Sequence, residues 1–267
     1  MKKVKTDITL YQRNIRNELP VFGEKEYNAI LNKLKSSVAF VFPEYFAFHG
    51  KLKSEVEIID YSKKALKWLM NLSKTDEAKA TLIFGGTLII KDANTNKNYN
   101  TLPVLYEGET LTMYQKRRLY GLESEYLSNG HVPRTVIHPH DKTTWGLLIC
   151  ADVFLDDAFS SYKGCDYIAI PTSSPYKPDD TDESQKKRDI EIYAKGSQVS
   201  GAVVLKCCGT GEIGGIKENP DSVSKLQGRS LIVRDNKVLT RAPDINSSGF
   251  LRFDTITNKS YYEEYAD

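Results

Sequence analysis

Cysteine is scarce in this chain, with four residues in 267, at positions 150, 165, 207 and 208. No CxxC occurs, and adjacent Cys207 and Cys208 do not make a metal-ligand spacing, so a zinc ribbon or finger is excluded. Disulfide frameworks belong to short secreted chains, so these four read as free thiols of a reducing compartment, with one available for catalysis. Long apolar runs are missing too. None approaches the ~20 residues that cross a bilayer, and the basic start MKKVKTDITLYQRN has no apolar stretch behind it to make a signal peptide. An excess of one charge is the third absence. The net charge is +2, and Lys and Arg gather in no single block, which argues against a nucleic-acid face. No linker, repeat or low-complexity tract interrupts the chain. A soluble, intracellular, cytoplasmic protein is expected, with no membrane and no nucleic-acid partner, folded as one domain over 1–267.

What is present is ordinary globular composition, 40% hydrophobic and 27% charged, long enough for a large core. Ile8 to Tyr11 reads as a first strand. Glu24 to Lys35 reads as a helix, with Tyr27, Ile30, Leu31 and Leu34 on one face. SSVAFVF (36–42) is a buried-strand pattern ending at Pro43-Glu44. Tyr61 to Leu72 is a second helix. ATLIFGGTLII (80–90) is β-rich and DANTNKNYN (92–100) is turn chemistry. LPVLYEG and ETLTMYQK form a hairpin-like pair around Gly108. TTWGLLIC and CDYIAIP (165–171) are strands, with a helix expected near 154–162. The polar run 173–189 reads as a surface loop leading into a long helix over Ser184 to Ser200. GAVVLKCC (201–208) and GRSLIVRDNKVLTR (228–241) are strands, the second with an Asp-Asn turn. Strands alternating with helices, and hairpins elsewhere, predict an α/β fold with mixed sheets.

Polar residues stand at the ends of several apolar runs. Glu44 ends VAFVFPE, Lys116 ends LTMYQK, Cys150 ends WGLLIC, and Glu125 lies in the loop after Lys116. Sites in open α/β sheets gather at strand ends. An acid, a cation and a thiol brought together make a nucleophilic site. A neighbouring ammonium or a helix start stabilises a thiolate, a carboxylate takes the thiol proton and returns it to a leaving amine, and the ammonium with a backbone N–H holds an oxyanion. Taken alone, Cys150 reads as core rather than as a nucleophile, since free Cys is among the most buried residues, and Lys at a strand end is commonly solvated. The constellation carries the argument, not any one member.

That constellation resembles the nitrilase superfamily, the carbon–nitrogen hydrolases. The resemblance lies in VFPEYF (41–46), YQKRRL (114–119) and LLICADVFLDDAF (147–159), in that order, with Lys116, Glu125 and Gly130 following the family's Lys, acid, Gly succession. Connecting text such as IFGGTLI (83–89), YKGCDYIAIPTSS (162–174) and LQGRSLIVRDNKVL (226–239) is similar as well, so the likeness covers nearly the whole chain. It implies a four-layer αββα sandwich with two mixed sheets. By match, Glu44 is general base and then acid, Lys116 stabilises the oxyanion, and Cys150 is the nucleophile that forms a thioester. Glu125, preferred over Glu123 for its spacing to Gly130, is the second glutamate. Ala151 is expected to supply the second oxyanion donor through its N–H, and Tyr45, Thr172 and Ser173 to contact substrate. No metal or organic cofactor is implied. The expected partner is a small amide or nitrile, an N-carbamoyl compound being an alternative, and so are acyl transfer to an amine and a non-catalytic binding protein on the same fold. A homodimer or higher homo-oligomer is expected; the short segment after the last strand pattern, SYYEEYAD, makes a spiral filament a poorer expectation.

The chain also departs from that pattern. KGSQV (195–199) stands where relatives often carry Arg-Ala-x-Glu-Asn, an Asn common in the next strand is replaced near Cys207, and VFLDD replaces an Arg-Phe-Pro-Glu continuation after the nucleophile. These changes bear on the substrate more than on the reaction. GTGEIG (209–214) matches GxGxxG, but GIKENPDS follows instead of a helix, so it reads as loop and not as a dinucleotide site. His138-Pro-His140-Asp141 has no third ligand nearby and reads as surface loop. Cys207-Cys208 reads as core or pocket lining.

Overall fold

The computed structural model describes residues 5–15, 23–47, 54–177, 179–214, 223–243 and 247–265. Two large mixed sheets dominate. The first is eight-stranded, in the order Ser260–Glu264, Gly249–Asp254, Asp7–Gln12, Ser37–Val41, Leu82–Phe84, Asn98–Tyr106, Leu88–Lys91, with Glu109–Gln115 also paired to Asn98–Tyr106. The second is six-stranded: Lys237–Arg241, Leu231–Arg234, Val203–Cys208, Tyr167–Thr172, Thr144–Leu147, Thr135–Ile137. Asp7–Gln12 runs parallel to Ser37–Val41 but antiparallel to Gly249–Asp254, and Val203–Cys208 is likewise parallel on one side and antiparallel on the other.

Strand alternation sorts the apolar side chains into layers. Ile8, Leu10, Ala39, Val41 and Phe84 of the first sheet meet Trp145, Leu147, Ile149, Ala169 and Leu205 of the second in one buried cluster. The alternate residues face outward. Phe40, Phe42 and Ile83 pack under Ile30 and Leu34 of the helix Glu24–Leu34, and under Ile58 and Leu69 of the helix Glu55–Ser73. On the far side Leu148, Ile168 and Val204 pack against Tyr193 and Ala194. The result is the αββα sandwich. Each large apolar side chain buried this way contributes about 1.5–3 kcal/mol over leaving it in water.

Several sequence expectations hold. The hairpin turns at Glu107 and Gly108, both with positive φ, and Asp235-Asn236, also both positive, links Leu231–Arg234 to Lys237–Arg241 as a type I′ turn requires. Others need correction. The second helix starts at Glu55, not Tyr61, because Ser54 caps it by accepting from the Glu57 N–H. The expected helix at 154–162 is two short 3₁₀ turns, Cys150–Phe154 and Ser160–Tyr162. The long helix runs from Asp182 to Ser200 with a π-helical stretch at Ile190–Ala194. GTGEIG is not loop: Thr210–Gly214 is a strand paired with Val223–Gln227 and Asn14–Ile15. The loop reading of 215–222 lies outside the described residues. No described helix is long and apolar enough to cross a membrane.

Candidate active site

Three chain segments converge where the two sheets open. The first carries Glu44, in a turn after Ser37–Val41. Tyr45 follows with φ 55°, and its N–H donates to Thr87 Oγ1 at 3.1 Å. Gly86 makes this turn possible: with φ +59°, it lies so close that a Cβ there would meet the Pro43 carbonyl oxygen at 2.3 Å.

Lys116 begins the second segment. Its N–H donates to the Asn100 carbonyl at 2.8 Å, and its own carbonyl accepts from Gly130 N–H at 2.7 Å. Gly130 packs on Gln115 so tightly that a Cβ would stand 2.4 Å from the Gln115 carbonyl oxygen. The loop closed by that contact carries the 3₁₀ turn Gly121–Glu125.

Cys150 begins the third. It follows the extended residue Ile149, has φ 44° and opens the turn Cys150–Phe154. A non-glycine residue in this left-handed region costs of order 1–3 kcal/mol, and such strain concentrates at functional sites. The elbow is held by Asp152. One of its oxygens accepts the Tyr114 hydroxyl at 2.7 Å and the Ile149 N–H at 3.0 Å. The other accepts the N–H groups of Arg117 and Arg118 at 2.8 and 2.7 Å. A single buried carboxylate thus ties the cysteine turn to the lysine turn. Asp157, in the divergent VFLDD stretch, adds a second tie by accepting from Arg117 Nη2 at 2.8 and 3.0 Å.

At the centre, Lys116 Nζ lies 2.8 Å from Glu44 Oε1 and 2.9 and 3.0 Å from the two oxygens of Glu123. Lys116 is 2% exposed and Glu44 1%. Asn100 Nδ2 shares its hydrogens among Glu44, Glu123 and the Tyr45 hydroxyl, at 3.0–3.1 Å. The Cys150 thiol and the Glu44 carboxylate lie close enough to shift each other's proton affinity. Burial and then the Glu44 charge push that thiol well above its ordinary value, and Lys116 offsets only part of this. Burial also raises Glu44, with Lys116 pulling down and Glu123 pushing up. For Lys116, burial opposes the charged form, but Glu44, Cys150 and Glu123 together outweigh it and keep the ammonium. Both shifts favour a protonated thiol beside a carboxylate of raised proton affinity, which can take that proton.

Glu44, Lys116 and Cys150 are brought together as the sequence suggests. Glu125 is not. It is exposed, whereas Glu123 is buried and binds Lys116, Asn100, Tyr45 and the Tyr120 N–H. In a 3₁₀ turn, residues two apart point in different directions, so only one of the two acids reaches inward. Spacing to Gly130 selects the wrong one. The missed signal lies in Tyr120 and Glu123, three apart, where the acid reaches back to the N–H at the start of its own turn.

A cavity of about 280 Å³ opens at Cys150, lined also by Ala151, Thr172, Ser173, Tyr193 and Lys206. Glu44 and Lys116 do not line it, so Cys150 is the member of the set a ligand reaches first. Ala151, Thr172 and Ser173 stand where substrate contacts were expected. Tyr45 does not line the cavity; its hydroxyl donates to Glu123 instead, so it positions that acid. Ser173 also accepts the thiol through its carbonyl, at 3.9 Å. Among the described residues no group of three or more His, Cys, Asp or Glu side chains is placed to hold a metal ion. His138 is buried, its Nδ1 facing the N–H groups of His140 and Asp141 and its Nε2 3.2 Å from the Val38 carbonyl.

The fold has solved counterparts. A cysteine-to-alanine mutant of the amidase from Nesterenkonia sp. AN1, in complex with butyramide, is 18% identical, with a TM-score of 0.72 over 96% of this chain and 92% of that one. Nit3 of Saccharomyces cerevisiae, a member of branch 10 of the nitrilase superfamily, is 19% identical, with a TM-score of 0.69 over 94% and 90%. The glutamine-dependent NAD+ synthetase of Acinetobacter baumannii is 16% identical with a TM-score of 0.70; the match covers 98% of this chain but only 48% of the synthetase, about half its length. No family model matches the sequence, and no curated protein matches it. The chain has the nitrilase-superfamily fold.

Proposed function

We propose that this protein is a cysteine-dependent amidohydrolase of the nitrilase superfamily, acting on a small non-peptide amide. One observation carries the reading: a partly exposed cysteine at a strained elbow opens on a cavity and is backed by a buried ammonium between two carboxylates. The Nesterenkonia amidase of the same fold has been captured with acrylamide added at its active-site cysteine. In the proposed reaction Glu44 takes the Cys150 proton as sulfur attacks the amide carbon. Lys116 and the Ala151 N–H, at the start of a turn where N–H groups lack helical partners, hold the oxyanion. The C–N bond then breaks, and Glu44 gives its proton to the leaving nitrogen, releasing ammonia or an amine. Water, losing a proton to Glu44, attacks the thioester; the C–S bond breaks, and the sulfur takes the proton back as the carboxylate departs. Glu123 fixes Lys116 throughout, the role expected of Glu125 by match. The protein is further proposed to work as a homo-oligomer.

The test is ammonia release from a panel of amides, nitriles and N-carbamoyl compounds. Release by the wild type that disappears in Cys150→Ala supports the reading. Release that persists unchanged in Cys150→Ala removes the mechanism. Binding with no turnover in the wild type replaces the enzyme by a binding protein.

A further inference from the structure

Asn100 is an anomaly of the strand Asn98–Tyr106. Asparagine is depleted in strands, and this one is fully buried at the end of a segment whose sequence reads as a turn. Its side-chain oxygen Oδ1 is buried with no partner among the described residues. Such an atom is uncommon in a folded protein and calls for an explanation. The amide nitrogen supplies it. Nδ2 lies 3.1 Å from Glu44 Oε1, and 3.0 Å from both Glu123 Oε1 and the Tyr45 hydroxyl. Turning the amide over would set Oδ1 against two carboxylate oxygens. The unpaired oxygen is therefore the consequence of aiming two N–H hydrogens at the acids.

The backbone adds a second link. The Asn100 carbonyl accepts the Lys116 N–H at 2.8 Å, so one residue fixes the main chain of the lysine and the side chain of the base. The two oxygens of Glu44 are thereby made unequal. Oε1 receives Lys116 Nζ at 2.8 Å and Asn100 Nδ2 at 3.1 Å. Oε2 accepts from no N–H or O–H group of the described residues. Lys116 is divided, because its Nζ also reaches both oxygens of Glu123, and two carboxylates face one ammonium. Asn100 lies between the acids and shares its neutral hydrogens with both. The other titratable groups around Glu44 are Cys150, Tyr45 and Cys208, and none of these three brings a positive charge.

We propose that Asn100 is the positioning residue of the base: it holds Glu44 Oε1 beside Lys116, so that Oε2 is the oxygen that takes and returns the Cys150 proton. This goes beyond the amidohydrolase reading and rests on it for the identity of the base. In the attack step the S–H bond breaks and an O–H bond forms at Oε2. The S–H electron pair stays on sulfur and bonds the amide carbon, while Oε1 keeps its two donors throughout. Donors to the ionised form of a carboxylate favour that form, so Asn100 also keeps Glu44 ready as a base at lower pH than burial alone would allow.

Two variants of nearly equal shape test this. Asn100→Leu has no donor, and Asn100→Asp has one hydrogen, only while protonated. Asn100→Leu is expected to lower kcat by at least about tenfold. It is also expected to move the acid limb of kcat/KM up by about one pH unit or more, because a hydrogen bond to a charged group is lost. Asn100→Asp is expected to keep activity on the acid side of its profile and to lose it as pH rises and a third carboxylate forms. Circular dichroism checks that both variants fold. The titration of Glu44 is also read without turnover, as the infrared band of a protonated carboxyl group that Glu44→Gln removes. Its midpoint is expected at higher pH in Asn100→Leu than in the wild type. A folded Asn100→Leu with the wild-type rate, or with a lower rate but an unmoved limb and midpoint, overturns the proposal and leaves amide hydrolysis intact. An Asn100→Asp profile that matches the wild type overturns it as well, whether or not Asn100→Leu folds. A midpoint that moves in Asn100→Leu, where the wild type turns over no amide, supports the hold on Glu44 and sinks the hydrolase reading alone.

Discussion

Asp152 accepts the Tyr114 hydroxyl at 2.7 Å while its other oxygen accepts the Arg117 and Arg118 N–H groups, so the residue two after the nucleophile also fixes the chain just after Lys116. Asp152→Asn converts one acceptor oxygen into a donor that faces donors. Leaving such buried groups unmet costs about 1–3 kcal/mol, and the cysteine and lysine turns lose their common anchor. A lowered melting temperature is expected, together with a fall in kcat/KM of at least about tenfold from misplacement of the reacting groups. Thermal melts and steady-state kinetics on the same preparation check both. Unchanged kinetics at wild-type stability would contradict the anchoring role.

The two neighbouring glutamates make opposite predictions. Glu123→Gln removes a charge from a buried ion pair and disturbs the contacts of Lys116, Asn100 and Tyr45. It is expected to cost about 3 kcal/mol of stability and to lower kcat by at least about tenfold. Glu125→Gln changes an exposed residue and is expected to stay within about 0.5 kcal/mol of the wild type. Kinetics of the two variants in parallel decide which acid serves Lys116.

The pH dependence follows from Glu44. Burial, assisted by Glu123 and opposed by Lys116, raises its proton affinity. As the base it acts only when deprotonated, so the acid limb of kcat/KM is expected at higher pH than an exposed glutamate would give. The sign for stability is the reverse of the usual carboxylate case. Because the folded state holds this proton more tightly than the unfolded one, the Glu44 contribution becomes less favourable as pH rises from the ordinary carboxylate value through the raised one. A pH–rate profile checks the limb, which is expected to vanish with the activity in Glu44→Gln.

Backbone geometry gives another prediction. Gly86→Ala places a Cβ 2.3 Å from the Pro43 carbonyl oxygen and 2.6 Å from the Phe46 ring, at φ +59°. The turn carrying Glu44 must shift. A loss of more than about 1 kcal/mol and a drop in kcat are expected, read by chemical denaturation and by kinetics.

Much of this was legible in the sequence because it is local. Short continuous apolar runs, VAFVF and GLLIC, identify buried strands whose ends carry Glu44 and Cys150, and Asp235-Asn236 names its own turn. What was not legible depends on which way a short turn faces. Glu123 and Glu125 are indistinguishable by composition, and only the path of the 3₁₀ turn decides between them. Tyr45 read as a substrate contact, yet its hydroxyl donates to Glu123. Lys206 passed as part of a strand, since its pairing with Asp189 joins residues far apart in the chain.

In the proposed reaction Cys150 attacks an amide carbon and carries the acyl group. Intact-mass spectrometry of the wild type and Cys150→Ala, quenched during turnover of an amide, tests it most directly. A mass increase equal to the acyl group less one hydrogen is expected on the wild type, mapped to the peptide containing Cys150 and absent from Cys150→Ala. Turnover with no adduct in the wild type, or the same adduct on Cys150→Ala, would contradict it.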